Sequence, residues 1–292
     1  MIDISKFKSK EDLFKFLKEN KALLIAQKKS ESKMADAFSY VRPIVPDKED
    51  ADKATSVAEL LTKDTLDAEV VINTTRLLDS HQDCHIDGLW KKSLKEKKNI
   101  YLIQEHKFDF KHVIAENVKA STKVFTWGEL GFKNMVGSTE ALVFESKIEK
   151  SRNSFMFEQY AKGYVKNHSV GMRYVQLHMC INSEEKYYKE EKENWDKYIG
   201  YVANKEEAEQ SGYFWAVTEA KIVEGSAVLA GSNWATPTIE VKEFEPSEDT
   251  QTTIEPEQST QIEAELTTST QKESRLDDTL SWKTLSDALK VK

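Results

Sequence analysis

Val170 to Ile181 reads VGMRYVQLHMCI, and Tyr213 to Val223 reads YFWAVTEAKIV. Both runs are rich in aromatic and β-branched residues and too short for the longer helices of a globular core, so both predict strands. The same signal recurs upstream, in Val70-Val71-Ile72 leading into Leu77-Leu78, and then at Ile100–Ile103, Thr122–Trp127 and Ala141–Ile148. One amphipathic helix interrupts the series, because Phe157, Tyr160, Ala161, Tyr164 and Val165 recur at i, i+3, i+4, i+7 and i+8. Many strands with few helices predict a mainly β (α+β) domain over residues 67–242, a barrel or sandwich with helices packed outside.

The flanks read differently. Residues 183–212, SEEKYYKEEKENWDKYIGYVANKEEAEQSG, form a charge-dense, helix-prone insertion between two strands. Residues 1–66 are expected to be an N-terminal helical extension. Ser9 and Asp12 make a capping-box-like start, Leu13, Phe14, Phe16, Leu17, Leu23 and Leu24 supply an apolar stripe, and Pro43 and Pro46 break the pattern. Residues 243–292, rich in Thr, Ser, Gln and Glu, bury too little apolar surface to offset their ordering entropy. They are expected to be a disordered acidic tail, with Leu276, Leu280, Trp282, Leu285 and Leu289 forming a short terminal amphipathic helix.

Charge follows the same division. The chain carries a formal −8, and residues 243–292 hold 12 Asp+Glu against 5 Lys+Arg, a net of −7. The body is therefore nearly neutral, which disfavours nucleic-acid binding. Two cysteines, Cys84 and Cys180, make no disulfide framework and suit a reducing compartment. The start lacks the apolar stretch of a signal peptide, and no run approaches a membrane span, so a cytosolic protein is expected.

Three residues stand out for chemistry. His106 ends the run Ile100–Glu105, at the mouth of a buried strand, where an imidazole can titrate near neutrality and act as a base. Ser169 lies in Lys166-Asn167-His168-Ser169-Val170-Gly171-Met172, between the amphipathic helix and a strand, with Gly171 removing a side chain that would obstruct substrate. This is not a G-x-S-x-G elbow, since Asn167 stands where the first glycine belongs. Glu219, by a period of two, shares a face with Trp215, Val217, Lys221 and Val223, and a carboxylate among apolar neighbours requires a partner such as a histidine or Lys221. Taken singly, each residue also suits a purely structural place.

Taken in order, four segments resemble the prohead (capsid maturation) serine proteases of tailed bacteriophages, relatives of the herpesvirus assemblins. They are Asp83 and Asp87-Gly88-Leu89-Trp90-Lys91-Lys92-Ser93-Leu94, the strand Ile100–His106, the segment Gly163–Met172, and Thr218–Val223 followed by Ser232-Asn233-Trp234-Ala235. The resemblance covers roughly Glu69 to Pro237, about 60% of the chain. It implies a herpesvirus-protease-like β-barrel, Ser169 as nucleophile, His106 as general base and Glu219 orienting the histidine. Departures from the pattern are Lys221 in place of a serine, the missing prolines of the final loop, and the insertion before Glu219.

His178 is the alternative third member, as the herpesvirus relatives use a second histidine. Strand parity opposes it, because nine positions separate it from Ser169. Arg173 carries a charge that would assist an oxyanion or pair at the surface. The implied activity is a serine endopeptidase without cofactor, acting inside the assembling prohead in the host cytoplasm. Its implied partners are the major capsid protein and scaffold as substrates, the chain's own tail, and a second copy.

Two rival readings remain: a non-catalytic capsid assembly or scaffold protein, and a metal site drawn from His81, Cys84 and His85 with His178 and Cys180.

Overall fold

A computed structural model of the chain describes residues 6–30, 57–96 and 99–243. In order these form helices α1 (Lys10–Glu19), α2 (Lys21–Ser30) and α3 (Val57–Thr62), strands β1 (Thr65–Thr74) and β2 (Asp83–His85), helix α4 (Lys91–Lys95) and strands β3 (Leu102–Gln104), β4 (Val113–Ala115), β5 (Lys119–Thr126) and β6 (Ser138–Glu149). Helix α5 (Ser154–Ala161), strand β7 (Asn167–Ile181), helices α6 (Lys189–Tyr198) and α7 (Lys205–Ser211) and strands β8 (Tyr213–Val228) and β9 (Thr238–Glu243) complete the set. No helix among the described residues is long and apolar enough to cross a membrane.

Two sheets carry the fold. One is antiparallel in the order β5-β6-β1-β9. The other is built on β8, whose 16 residues pair antiparallel with β7 along one edge. On its other edge β8 takes two short parallel strands at different heights, β2 against Trp215–Val217 and β3 against Gly225–Ala227, with β4 beyond β3. The stretch of β8 between them is closed by the chain that links β2 to β3. Leu89 O accepts from Ala220 N at 3.2 Å, and Ser93 Oγ accepts from Ile222 N at 2.9 Å. A buried strand edge leaves no backbone donor idle, and Leu89 and α4 together meet that demand here.

The main core lies between the sheets. Val70, Ile72, Leu142 and Phe144 face Val170, Met172, Trp215 and Ile222 across it. Gly225 lets the sheets approach this closely, because a Cβ there would lie 2.5 Å from Phe144 Cε2 and 2.9 Å from Ile72 Cδ1.

The expected barrel is corrected: among the described residues there are two open sheets and no closed barrel, in a mixed α/β arrangement with more helix than a mainly β reading allows. The boundary near residue 67 is corrected too. Helix α1, capped by Ser9 Oγ accepting from Asp12 N at 3.1 Å, buries Leu13, Phe14 and Leu17 in the same core as the sheets, so it is part of the body rather than an extension from it. The insertion does fold as helices. Trp195, Tyr198 and Ala208 from α6, α7 and their surroundings cover Cys84, Cys180, Phe214 and Ala216 on the outer face of the β8 sheet. The proposed tail and its terminal helix lie outside the described residues.

Candidate active site

The register of β7 on β8 sets the site. Ser169 is opposite Ser226 and Gly171 is opposite Glu224. Opposed residues in an antiparallel pair carry Cβ atoms about 5 Å apart on one face, so these four positions form a compact square. The inner face takes Val170 and Met172 into the core, which leaves the square on the outer face. Gly171 is required there for a reason other than substrate access. A Cβ at Gly171 would lie 2.1 Å from Glu224 Oε1, so the missing side chain is the space that the carboxylate occupies.

His106 reaches the square from β3. Lys107 N donates to Gln104 O at 3.0 Å, closing a turn whose two central residues, Glu105 and His106, have φ of 51° and 56°. Two consecutive left-handed residues without a glycine are costly and persist only when neighbours over-determine them. The neighbours are on β8. Glu105 N donates to Ala227 O at 3.0 Å, and His106 N donates to Ser226 Oγ at 3.0 Å. The ring is held as well: His106 Nδ1 lies 2.5 Å from Glu224 Oε1, while Ser226 Oγ donates to Glu224 Oε2 at 2.7 Å. A carboxylate only accepts, so Nδ1 carries a proton, and in the neutral form of the ring Nε2 presents its lone pair. Nε2 is buried and has no hydrogen-bond partner, so no bond joins it to Ser169 Oγ in this structure. Catalytic hydrogen bonds often tighten only once substrate is bound. Ser169 and His106 are each 8% exposed, and Glu224 is 1% exposed.

Glu219, expected on His106, is elsewhere. Its Oε1 lies 2.9 Å from Lys92 Nζ on α4. The premise that put it among apolar neighbours fails at a bulge. The β7–β8 register slips beside Thr218, so Trp215 and Val217 enter the core while Glu219 lies opposite Gln176 on the other face. A signal for Glu224 exists in the sequence: Glu224-Gly225-Ser226-Ala227-Val228 has a serine two residues after the glutamate, the feature that Glu219 lacks.

The parity argument against His178 also fails. An extra residue at Val175 reverses the alternation of β7, so His178 returns to the outer face with Ser169. Distance excludes it instead: nine residues of strand span roughly 30 Å. His178 Nε2 lies 3.3 Å from Thr218 Oγ1, and its ring stacks on Tyr198. Burial, with Lys197 nearby, lowers its pKa. Arg173 is exposed, two positions past Gly171 on the outer face and opposite Lys221.

The donors of the rival metal reading form no group of three or more His, Cys, Asp or Glu that could hold a metal among the described residues. Both ring nitrogens of His85 are engaged, Nδ1 with Asn73 Nδ2 at 3.0 Å and Nε2 with Tyr174 Oη at 3.2 Å. Tyr174 Oη donates in turn to Asp83 Oδ2 at 2.9 Å. Asn73 and His85 of this network line a small cavity together with Ser169, Ser232 and Asn233.

His168, next to the serine, pins the start of β7. Its Nδ1–H donates to Thr236 O at 3.3 Å, and Nε2 lies 2.9 Å from Tyr160 Oη. Complete burial pushes its pKa down to about 4, so the ring is neutral.

What the arrangement can do follows from these contacts: an imidazole oriented by a buried carboxylate, its Nε2 unpartnered, is anchored to Ser226, directly opposite a serine on a rigid strand. No family model matches the chain, and no match is found among curated proteins or solved structures.

Proposed function

We propose that the chain is a serine endopeptidase in which Ser169 is the nucleophile, His106 the general base and Glu224 the group that orients the base. One observation carries the reading. A buried carboxylate fixes the His106 ring through Nδ1 and leaves Nε2 without a partner, on the outer face that Ser169 shares. A purely structural histidine at this depth would have both nitrogens satisfied, as His85 and His168 do.

The chemistry is acyl transfer. Ser169 Oγ attacks the scissile carbonyl carbon while His106 Nε2 takes the hydroxyl proton, giving a tetrahedral oxyanion. As that collapses, the C–N bond breaks and the proton passes from Nε2 to the leaving amine. Water, deprotonated by the same nitrogen, then attacks the acyl-enzyme and frees the acid product and Ser169. Throughout, Glu224 stabilises the imidazolium through Nδ1–H.

The order of segments supports a capsid-maturation role, and replacing Glu219 by Glu224 strengthens the resemblance, because Ser226 then supplies the serine that Lys221 appeared to displace. The proposed substrates are the major capsid protein, scaffold, and the Thr/Ser/Gln/Glu-rich segment 244–292 of the chain itself.

Intact-mass comparison of wild type and Ser169→Ala, each expressed alone and with a candidate capsid protein, tests the reading. Wild type should trim itself or its partner, and the variant should be slower by about a thousandfold or more. Identical, untrimmed masses would instead favour a non-catalytic assembly protein.

A further inference from the structure

We propose that Ser226 is a positioning residue for His106, a single hydroxyl that ties the base's backbone to its orienting carboxylate. The assignment deepens the protease reading and rests on it for its catalytic consequence, but its structural content stands apart. Ser226 is fully buried, and its Oγ has two bonds in which its roles differ. It accepts from His106 N at 3.0 Å and donates to Glu224 Oε2 at 2.7 Å. Glu224 Oε1 then closes the ring of contacts on His106 Nδ1 at 2.5 Å.

Each bond answers a separate need. The His106 amide sits in a left-handed turn, with φ of 56°, where the strand ladder no longer provides an acceptor. Without Ser226 that buried amide would be unsatisfied, and the turn would lose the contact that offsets its strain. Glu224 has two buried oxygens and one histidine. Without the hydroxyl, Oε2 would be left bare and the carboxylate free to rotate toward another donor. Backbone and side chain of the base are therefore aligned by one atom, on the strand position directly opposite Ser169.

A hydroxyl that merely filled space would be removable without effect on the histidine. The test therefore follows the His106 Nδ1–H proton by NMR, assigned with His106→Gln, in the full chain. A short bond to a carboxylate gives a far-downfield resonance. Ser226→Ala should shift it upfield or abolish it, and Ser226→Thr, which restores the hydroxyl, should recover it. In the same proteins kcat should fall by about ten- to a hundredfold in Ser226→Ala with KM unchanged. If Ser226→Ala does not fold, Ser226→Cys keeps the volume with only a weak donor, and the same upfield shift is expected. An unchanged resonance in whichever variant folds overturns the assignment. A resonance that moves as expected in Ser226→Ala, when wild type itself cleaves nothing, leaves the positioning role standing and removes the protease reading instead.

Discussion

Glu224 owes its place to a neighbour that has no side chain. The carboxylate fills the space over Gly171, 2.1 Å from where a Cβ would stand, and from there it reaches His106. Gly171→Ala should therefore displace Glu224 and cut peptide cleavage by about a hundredfold or more while leaving the far-ultraviolet circular dichroism unchanged. Glu224→Gln should cost about 10⁴-fold in kcat, since an amide favours the wrong imidazole tautomer. Glu219→Gln, whose partner is the exposed Lys92, should cleave within about twofold of wild type. Cleavage rates of one synthetic substrate by all three variants check these outcomes, and a reversed order of the two glutamates would return the role to Glu219. As candidates, Ser169 and His106 were legible in the sequence because segment order carries them. Glu224 was not, because its claim depends on Gly171 across the sheet.

Strands fail as rulers wherever they bulge, and β7 and β8 bulge repeatedly. The register slips beside Val175, Thr218 and Val223. A period-two count along Phe214–Val223 therefore assigns Glu219 the face of Trp215, and a count from Ser169 assigns His178 the wrong face. Strand identity survives such slips, so the runs at Val170–Ile181 and Tyr213–Val223 were legible as strands although their faces were not. The edge of β8 was hidden for a different reason. It is closed by two short parallel strands and a helix, whose pairing over more than a hundred residues leaves no local periodicity. Ser93 is the joint of that repair. Ser93→Ala leaves the buried Ile222 amide without its acceptor and should lower stability by about 1–3 kcal/mol, read from urea denaturation midpoints with an unchanged slope.

At the scale of the molecule, the first two helices are clamped to the insertion. Glu191 on α6, fully buried, accepts from Lys18 and Lys21 at 2.6 Å each. Burial pushes the Glu191 carboxyl up, and the two lysine bonds outweigh that and leave its pKa below the ordinary value. His168 is shifted down from 6.5 to about 4 by burial. Both groups bind protons more readily in the unfolded chain, so both make stability rise with pH. The contribution of His168 is complete above its ordinary pKa of 6.5 and is lost as pH falls toward about 4, and that of Glu191 follows at lower pH. Urea midpoints should therefore fall between about pH 7 and about pH 4.5, with His168 supplying up to about 3 kcal/mol of the loss. His168→Gln should flatten the upper part of that curve. A midpoint independent of pH in wild type would show that His168 is not buried neutral. The N-terminal helix was legible by its stripe, but its docking was not, since Glu191 reads as one more charge in a charged insertion.

The late position of β8 in the chain has a consequence for synthesis. His106 waits for Glu224 and Ser226, which lie 118 and 120 residues further on. A ribosome that has made everything through β7 has made the serine and the histidine, yet nothing fixes the turn or the ring. The proposed triad is therefore complete only once β8 has been made and paired between β7 and β3, and a nascent chain that stops short of β8 lacks it.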